Sequence, residues 1–375
     1  MTLSEPYQTL LERACGETIG PSAAEVDRTG SFPSASIAAL KAAGLLGAVS
    51  AREVGGLALG AAGAAAIIER VARECASTAM VLCMHYCGAA VLEAYAPVEV
   101  RRATASGEHL STLAFSEEGS RSHFWAPLST ARADGADVVL DARKSWVTSA
   151  STATAYVWSS KPLAAEGLST LWLVPRQSSG VTLNGRFDGL GLRGNDSAPV
   201  AANGARLPRS AMLGEDGGGF AIMMGVVLPL FNVLNAACST GLMEAAVSRS
   251  AQHASAIRHA DTQSSLAQLP TIRSYLARMR IKTDLARALL TDTLAALESG
   301  RADTMLRVLQ CKAAAGESAN EVLDLAMRIC GGAAFRKDVG VERYFRDARA
   351  AGAMAPTTDV LYDFIGKAVC GMELF

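Results

Sequence analysis

The chain has 375 residues, 50% of them apolar, 19% charged and 6% aromatic. That composition describes a globular protein with enough apolar surface for a large core, and 34 Gly with 12 Pro exclude collagen-like or low-complexity organisation. Lys+Arg total 35 against 36 Asp+Glu, and the net charge of −1 excludes the basic excess that a nucleic-acid-binding surface carries.

The first segment reads as helical to about residue 106. Leu3, Tyr7, Leu10, Leu11 and Ala14 recur at threes and fours and form one apolar stripe. A short helix over 36–43 ends at Gly44. Segments 61–73 and 77–95 are Ala-rich and apolar on several sides, the pattern of helices inside a bundle. Pro97 opens another helix where its missing N–H costs nothing, and Gly107 stops it. From 111 to about 208 the period shortens toward two. Segments 111–116, 137–142, 155–158, 170–174 and 181–183 are short, β-branched or aromatic, and bounded by Gly, Asp or Pro. Successive strands with no helix between them argue for an antiparallel barrel or sandwich. From Gly217-Gly218-Gly219 helix returns in long pieces, to about 259, then over 270–298 and 302–330. Gly331-Gly332 stops the last of these, and a final helix follows over 356–369.

No membrane span is expected, because the most apolar run, 220–238, is interrupted by Pro229, Asn232 and Asn235. The N-terminus lacks the basic and apolar regions of a secretory signal. The cysteines at 15, 75, 83, 87, 238, 311, 330 and 370 mostly sit in apolar helical surroundings, which suits buried thiols in a reducing, cytoplasmic compartment. Cys83, His85 and Cys87 fall at i, i+2 and i+4 of one helix, so His85 points away from the two thiols and no metal site is expected. GxGxxG after a strand, Walker, HExxH and GxSxG signatures are all missing. The five histidines at 85, 109, 123, 253 and 259 offer no nucleophile pairing, and each reads first as a structural residue.

Several short motifs nevertheless occur in one order. They are Gly44-Leu-Leu-Gly47 with Glu53-Val-Gly-Gly56, the segment Leu113-Ala-Phe-Ser-Glu-Glu-Gly-Ser-Arg-Ser122, Trp146-Val-Thr148, Gly214-Glu-Asp-Gly-Gly-Gly-Phe220, and Gly331-Gly332 leading to Val341-Glu-Arg-Tyr-Phe-Arg-Asp-Ala-Arg349. That order and spacing resemble the acyl-CoA dehydrogenase family over essentially the whole chain. The resemblance implies an α+β fold with an N-terminal helical domain (1–110), a middle antiparallel β-barrel domain (111–208) and a C-terminal four-helix bundle (209–375). It also implies bound FAD, an acyl-thioester substrate carried on CoA or an acyl carrier protein, and a homodimer or homotetramer. Neither nucleic acid nor membrane is an expected partner.

The resemblance carries roles to individual residues. Trp146 matches the aromatic residue against the isoalloxazine, and Thr148, two residues on and facing the same side of a strand, its hydrogen-bonding partner. Without the resemblance, Trp146 would read as a core tryptophan. Ser116 matches the hydroxyl at the flavin edge, with the backbone of Phe115 beside it, and Ser122 a position that meets pyrophosphate or substrate. Gly331 and Gly332 match the close approach to the partner subunit's FAD, and otherwise read as a helix cap. Arg328 replaces a glutamine of the family and still suits a diphosphate. Arg258 or His259 takes the place of an arginine that reaches the partner's cofactor. Thr357 matches a threonine that contacts FAD. Arg346, Asp347 and Arg349 match a family stretch or form a structural ion-pair cluster.

The match breaks at the catalytic base. The family removes an α-proton with a glutamate in a Glu-Gly-Thr sequence, and here Ala355 stands at that position. The alternative base position, on the first long helix of the last domain, holds Phe231, with Asn232 in place of an arginine. Candidate replacements are Asp359, one turn beyond Ala355, Glu117 or Glu118 beside the flavin motif, and His85. Three functions follow: an acyl-thioester dehydrogenase with a non-standard or missing base, a flavin-dependent monooxygenase needing no α-proton base, or a non-catalytic flavoprotein.

Overall fold

The computed structural model describes residues 3–120, 123–258, 260–261 and 263–374. Its N-terminal region is built from α1 (Tyr7–Ala14), α2 (Gly20–Thr29), α3 (Ser34–Ala42), α4 (Gly60–Ala72), α5 (Ala76–Tyr95) and α6 (Val98–Ser106). Helices α1 and α2 are one rod joined through a π turn at Cys15–Ile19, which lets Pro21 enter the first turn of α2 without losing a needed donor. That device is why 20–29 does not read as helix in the sequence. Gly30, Gly44 and Gly107 end α2, α3 and α6 in the left-handed region.

The Gly44-Leu-Leu-Gly47 motif is structural. The Tyr86 hydroxyl donates to Leu45 O at 2.6 Å, and His85 Nε2 lies 3.1 Å from Leu46 O. A Cβ at position 47 would stand 2.4 Å from Ala105 O, so only glycine lets this turn meet α6.

The middle region holds β1 (Ser111–Ala114), β2 (Thr130–Asp134), β3 (Asp137–Val147), β4 (Ala155–Ser160), β5 (Thr170–Pro175), β6 (Val181–Leu183), β7 (Ala198–Pro208) and β8 (Met212–Leu213). They form two four-stranded sheets, ordered β1-β4-β5-β8 and β2-β3-β7-β6. The pairing is not wholly antiparallel, because β1 runs parallel to β4, in register from Ser111 opposite Ala155 to Ala114 opposite Trp158. The chain reaches β1 from α6 and then leaves for the other sheet, so no hairpin dictates the direction of that pair. Between the sheets lies a small core of Val138, Leu140, Tyr156, Trp158, Trp172 and Val200.

The last region comprises α7 (Gly219–Ile222), α8 (Leu228–Ala256), α9 (Pro270–Ser299), α10 (Thr304–Cys330), α11 (Val341–Ala348), α12 (Ala350–Ala353) and α13 (Thr358–Val369). A π turn at Met223–Val227 joins α7 to α8 and places Pro229 in the first turn of α8, so the apolar run continues helical through the proline. Both α5 and the helical run 219–256 are long and apolar enough to cross a bilayer, yet 83% and 67% of their most apolar stretches are buried in the protein. Helix α8 packs on α4, α5, α9 and α10, and α13 lies along α10.

Close approach fixes the α4–α8 contact. A Cβ at Gly241 would stand 2.3 Å from Glu69 O and 2.8 Å from the Ala72 methyl. The substitution Gly241→Ala must part the two helices, and overpacking of this kind costs about 1–3 kcal/mol. A lowered midpoint in urea, with an unchanged slope, is the expected result.

Candidate functional site

One cavity of about 740 Å³ opens between the sheets and the last helical region, within the size range of small-molecule and cofactor sites. Its β wall comes from the ends of β1 and β3. Past Lys144 the β3–β7 register shifts, and the backbone turns left-handed at Trp146 (φ 57°) and Ser149 (φ 55°). A bulge re-aims side chains in this way. It presents the Trp146 indole to the cavity, 61% exposed and stacked on Phe187 with centroids 4.0 Å apart. The helical wall comes from the start of α8 and from the turn between α11 and α13. Met84, Leu113, Phe124, Leu228, Phe231 and Met354 make the apolar part of the lining.

Phe115, Ser116, Trp146, Thr148 and Thr357 all line this cavity, together with Phe231 and Ala355. The Ser116 hydroxyl makes no hydrogen bond among the described residues, and the Thr148 hydroxyl has only a loose 3.4 Å contact with Ser197. Ser122 and His259 lie outside the described residues. Arg258, Arg328, Gly331 and Gly332 are exposed and do not line the cavity. Arg328 pairs with Asp324 at 2.9 Å, and Arg258 donates to Gln263 O at 2.9 Å.

Two candidate bases lose that role on their surroundings, and one on its position. His85 is fully buried, accepts from Ser111 N–H at 3.1 Å through Nδ1, and holds its other nitrogen on Leu46 O. Burial pushes its pKa down to about 4, so it is a neutral strut between α5, a turn and β1. Asp359 is exposed in the first turn of α13 and outside the lining. Glu117 does line the cavity, but its carboxylate is consumed. It takes Lys144 Nζ at 2.5 Å, Leu128 N–H at 2.5 Å, Ser129 N–H at 3.0 Å and the Ser129 hydroxyl. Burial opposes its charge, but Lys144 and these donors outweigh it and hold the carboxyl below the usual range. Glu118 is the remaining carboxylate on the lining, exposed and without an ion pair among the described residues.

Two buried lysines frame the site, and sequence reasoning missed both; Lys312, before an alanine run, carried a signal, whereas Lys144, between Arg143 and Ser145, carried none. Lys144 completes its shell with Ser159 O at 2.7 Å and the Ser159 hydroxyl at 2.9 Å, behind the strand end that carries Trp146. Lys312, on α10, donates to Ala351 O, Met354 O and Pro356 O at 3.0, 3.1 and 2.8 Å. Its ammonium thereby pins the segment that carries Ala355 and sits 6.0 Å from the Phe231 ring centroid. Burial pushes its pKa down to about 7. Asn232 turns away from the cavity and donates to Val308 O at 3.2 Å.

Residues 5–106, 112–204 and 217–370 match the family models for the acyl-CoA dehydrogenase N-terminal, middle and C-terminal domains. The chain is 30% identical over 371 residues to the mitochondrial short-chain specific acyl-CoA dehydrogenase of Homo sapiens, covering 96% of this chain and 88% of that protein. Among solved structures, it superposes on the butyryl-CoA dehydrogenase of Megasphaera elsdenii with a TM-score of 0.91 and 21% identity, over 99% of each chain. It superposes on PigA with FAD and proline with a TM-score of 0.89 and 18% identity, over 99% of each chain.

The buried pair behind the β wall sets a stability test. Lys144→Met strands the Glu117 carboxylate, and breaking a buried pair from one side costs about 3–5 kcal/mol. The double variant Glu117→Leu, Lys144→Met removes both charges and is expected to recover most of that loss in a thermal or urea melt.

Proposed function

The chain belongs to the acyl-CoA dehydrogenase family and is a flavin oxidoreductase of that type, and on this premise we propose that it binds FAD in the cavity and α,β-dehydrogenates an acyl thioester there, with no carboxylate at the family's usual base positions. The observation that carries the reading is the joint placement of Ser116, Trp146, Thr148 and Thr357 around one cavity whose helical wall holds Phe231 and Ala355. The residues present suit a flat cofactor. Trp146 offers an exposed aromatic face, and the Ser116 and Thr148 hydroxyls have hydrogen-bonding capacity left for ring heteroatoms. When bound, the isoalloxazine supplies a two-electron acceptor.

The protein's own contribution is position and exclusion of water. Lys312 holds the Ala351–Pro356 backbone, so the helical wall beside Phe231 keeps its place although small side chains compose much of it. Phe231 and Met354 keep that wall apolar. Glu118 is the acceptor for the α-proton in this reading, because it is the carboxylate on the lining that no cation neutralises among the described residues.

Oxygen chemistry of a flavin monooxygenase is the second reading, favoured by the same apolar wall, since a dry pocket protects reactive intermediates. Anaerobic titration with acyl-CoAs separates the two. Bleaching of the flavin band supports dehydrogenation, whereas a flavin that responds only to prior reduction and then oxygen supports the second.

We extend the proposal to a cytoplasmic homodimer or homotetramer in which Arg258, Arg328, Gly331 and Gly332 face the partner's FAD. Their exposure supports this, as do Ile281 and Leu285, 59% and 65% exposed one turn apart on α9.

Two variants test the assignment. Trp146→Ala should lower the ratio of flavin to protein absorbance after purification, and an unchanged ratio overturns the cofactor placement. Ala355→Glu should raise the anaerobic bleaching rate by about 10²–10⁴-fold, the usual worth of general-base assistance. No gain with any acyl-CoA means the site differs from the family by more than one side chain.

A further inference from the structure

Four arginines line the cavity along one two-part wall, the loop 186–193 and the turn between α11 and α12. Arg346 Nη1 donates to Leu190 O at 3.0 Å, and Asp347 accepts from Leu192 N–H at 2.6 Å, so the two parts are bound to each other. A Cβ at Gly191 would stand 2.5 Å from Arg346 O, which leaves no gap between them.

Two of the four charges are spent. Arg346 pairs with Asp27 and Glu342, each at 2.6 Å, and Arg193 pairs with Asp188 at 2.6 Å. The guanidinium groups of Arg186 and Arg349 have no ion pair or hydrogen bond among the described residues. Arg349 only lies over the Phe345 ring, 4.1 Å from its centroid. On the opposite side of the balance, Glu117 is neutralised by Lys144 and Ala355 contributes no charge, which leaves the Glu118 carboxylate on the lining against two arginines. The lining therefore carries an excess of positive charge, with two guanidinium groups that no carboxylate reaches among the described residues, each a planar fork of donors matched to a carboxylate.

The position of Arg349 narrows the ligand. It stands four residues, one helical turn, before Ala353, and both line the cavity on the segment that continues into Ala355. An anionic group received there lies on the same helical wall as Ala355.

We propose that this site selects acyl groups that carry a second, free carboxylate, as in the monothioesters of dicarboxylic acids, with Arg349 and Arg186 receiving that carboxylate. The inference rests on the acyl-thioester reading of the cavity. It assigns the two arginines to substrate specificity, with no part in electron or proton transfer.

Binding of paired ligands tests it without turnover. Titration calorimetry of the purified protein with succinyl-, glutaryl- and adipoyl-CoA, against butyryl-, valeryl- and hexanoyl-CoA, gives the preference for a terminal carboxylate at matched chain length. The expected preference is roughly 10- to 100-fold, the worth of one or two charge-assisted hydrogen bonds. In Arg349→Gln and in the double variant with Arg186→Gln that ratio should fall toward one, with Arg349→Lys between. Equal or tighter binding of the methyl-ended thioesters by the unaltered protein overturns the proposal, and this comparison needs no variant to fold. A ratio that survives in the variants while both affinities fall together also overturns it, and assigns the arginines to the carrier's phosphates. A parallel loss of flavin content assigns them to the cofactor. Should the protein hold no flavin, the family reading of the cofactor fails, yet the calorimetric preference can still be measured.

Discussion

Helix α8 is buried on every side from Leu230 to Met243, and the rest of the molecule follows from the need to cover it. Nineteen of its 29 residues are buried, from Leu228 to Ala254. A helix apolar all round must be wrapped, and here α4, α5, α9 and α10 do the wrapping. Glycine at 241 brings the α4 backbone into contact, and α4 and α9 are tied across it by Arg287, whose guanidinium reaches both Glu69 and Glu244. At the N-terminal end the wrapping is incomplete around the π turn and first turn of α8. There the sheets and the α11–α13 turn stand off, and the cavity is what remains between them.

A cavity walled by small and apolar groups has no intrinsic reason to keep its shape. Two buried ammonium groups supply one, and they solve the same electrostatic problem differently. Lys144 is matched by a carboxylate and two serine residues, a closed network in which every charge has its opposite. Lys312 is matched by three backbone carbonyls, dipoles rather than a charge, so the turn it gathers is held by the cation alone. An isolated charge in such a place would be costly, and each arrangement offsets the loss of water with nearly complete hydrogen bonding.

The order of helical, strand and helical regions was legible because period-four and period-two patterns are strong over long segments. The motif series located Trp146, Thr148, Ser116 and Thr357, and these do converge. What stayed hidden was set by tertiary partners. Strand β7, rich in Ala with Asn203 and Gly204, has little propensity of its own and exists because β3 and β6 flank it. Helix α2 hid behind Pro21, and the parallel β1–β4 pair behind the expectation of hairpins. His85 and Glu117 have the right chemistry for a base, and only their partners disqualify them. Ala355 was legible as a missing carboxylate, but the two arginines left without counter-charges were not, since that depends on where Asp27, Asp188 and Glu342 point.

The left-handed backbone at Trp146 also makes the protein optically informative. Of the four tryptophans, Trp125, Trp158 and Trp172 are at most 9% exposed, while Trp146 stands open at the cavity. Its indole emission is accordingly the red-shifted, quencher-accessible component of the intrinsic fluorescence. The remaining three emit from a dry interior that an incoming molecule does not touch directly. Occupancy of the cavity is thus written into one spectral component that the native sequence already provides, with no label to be attached.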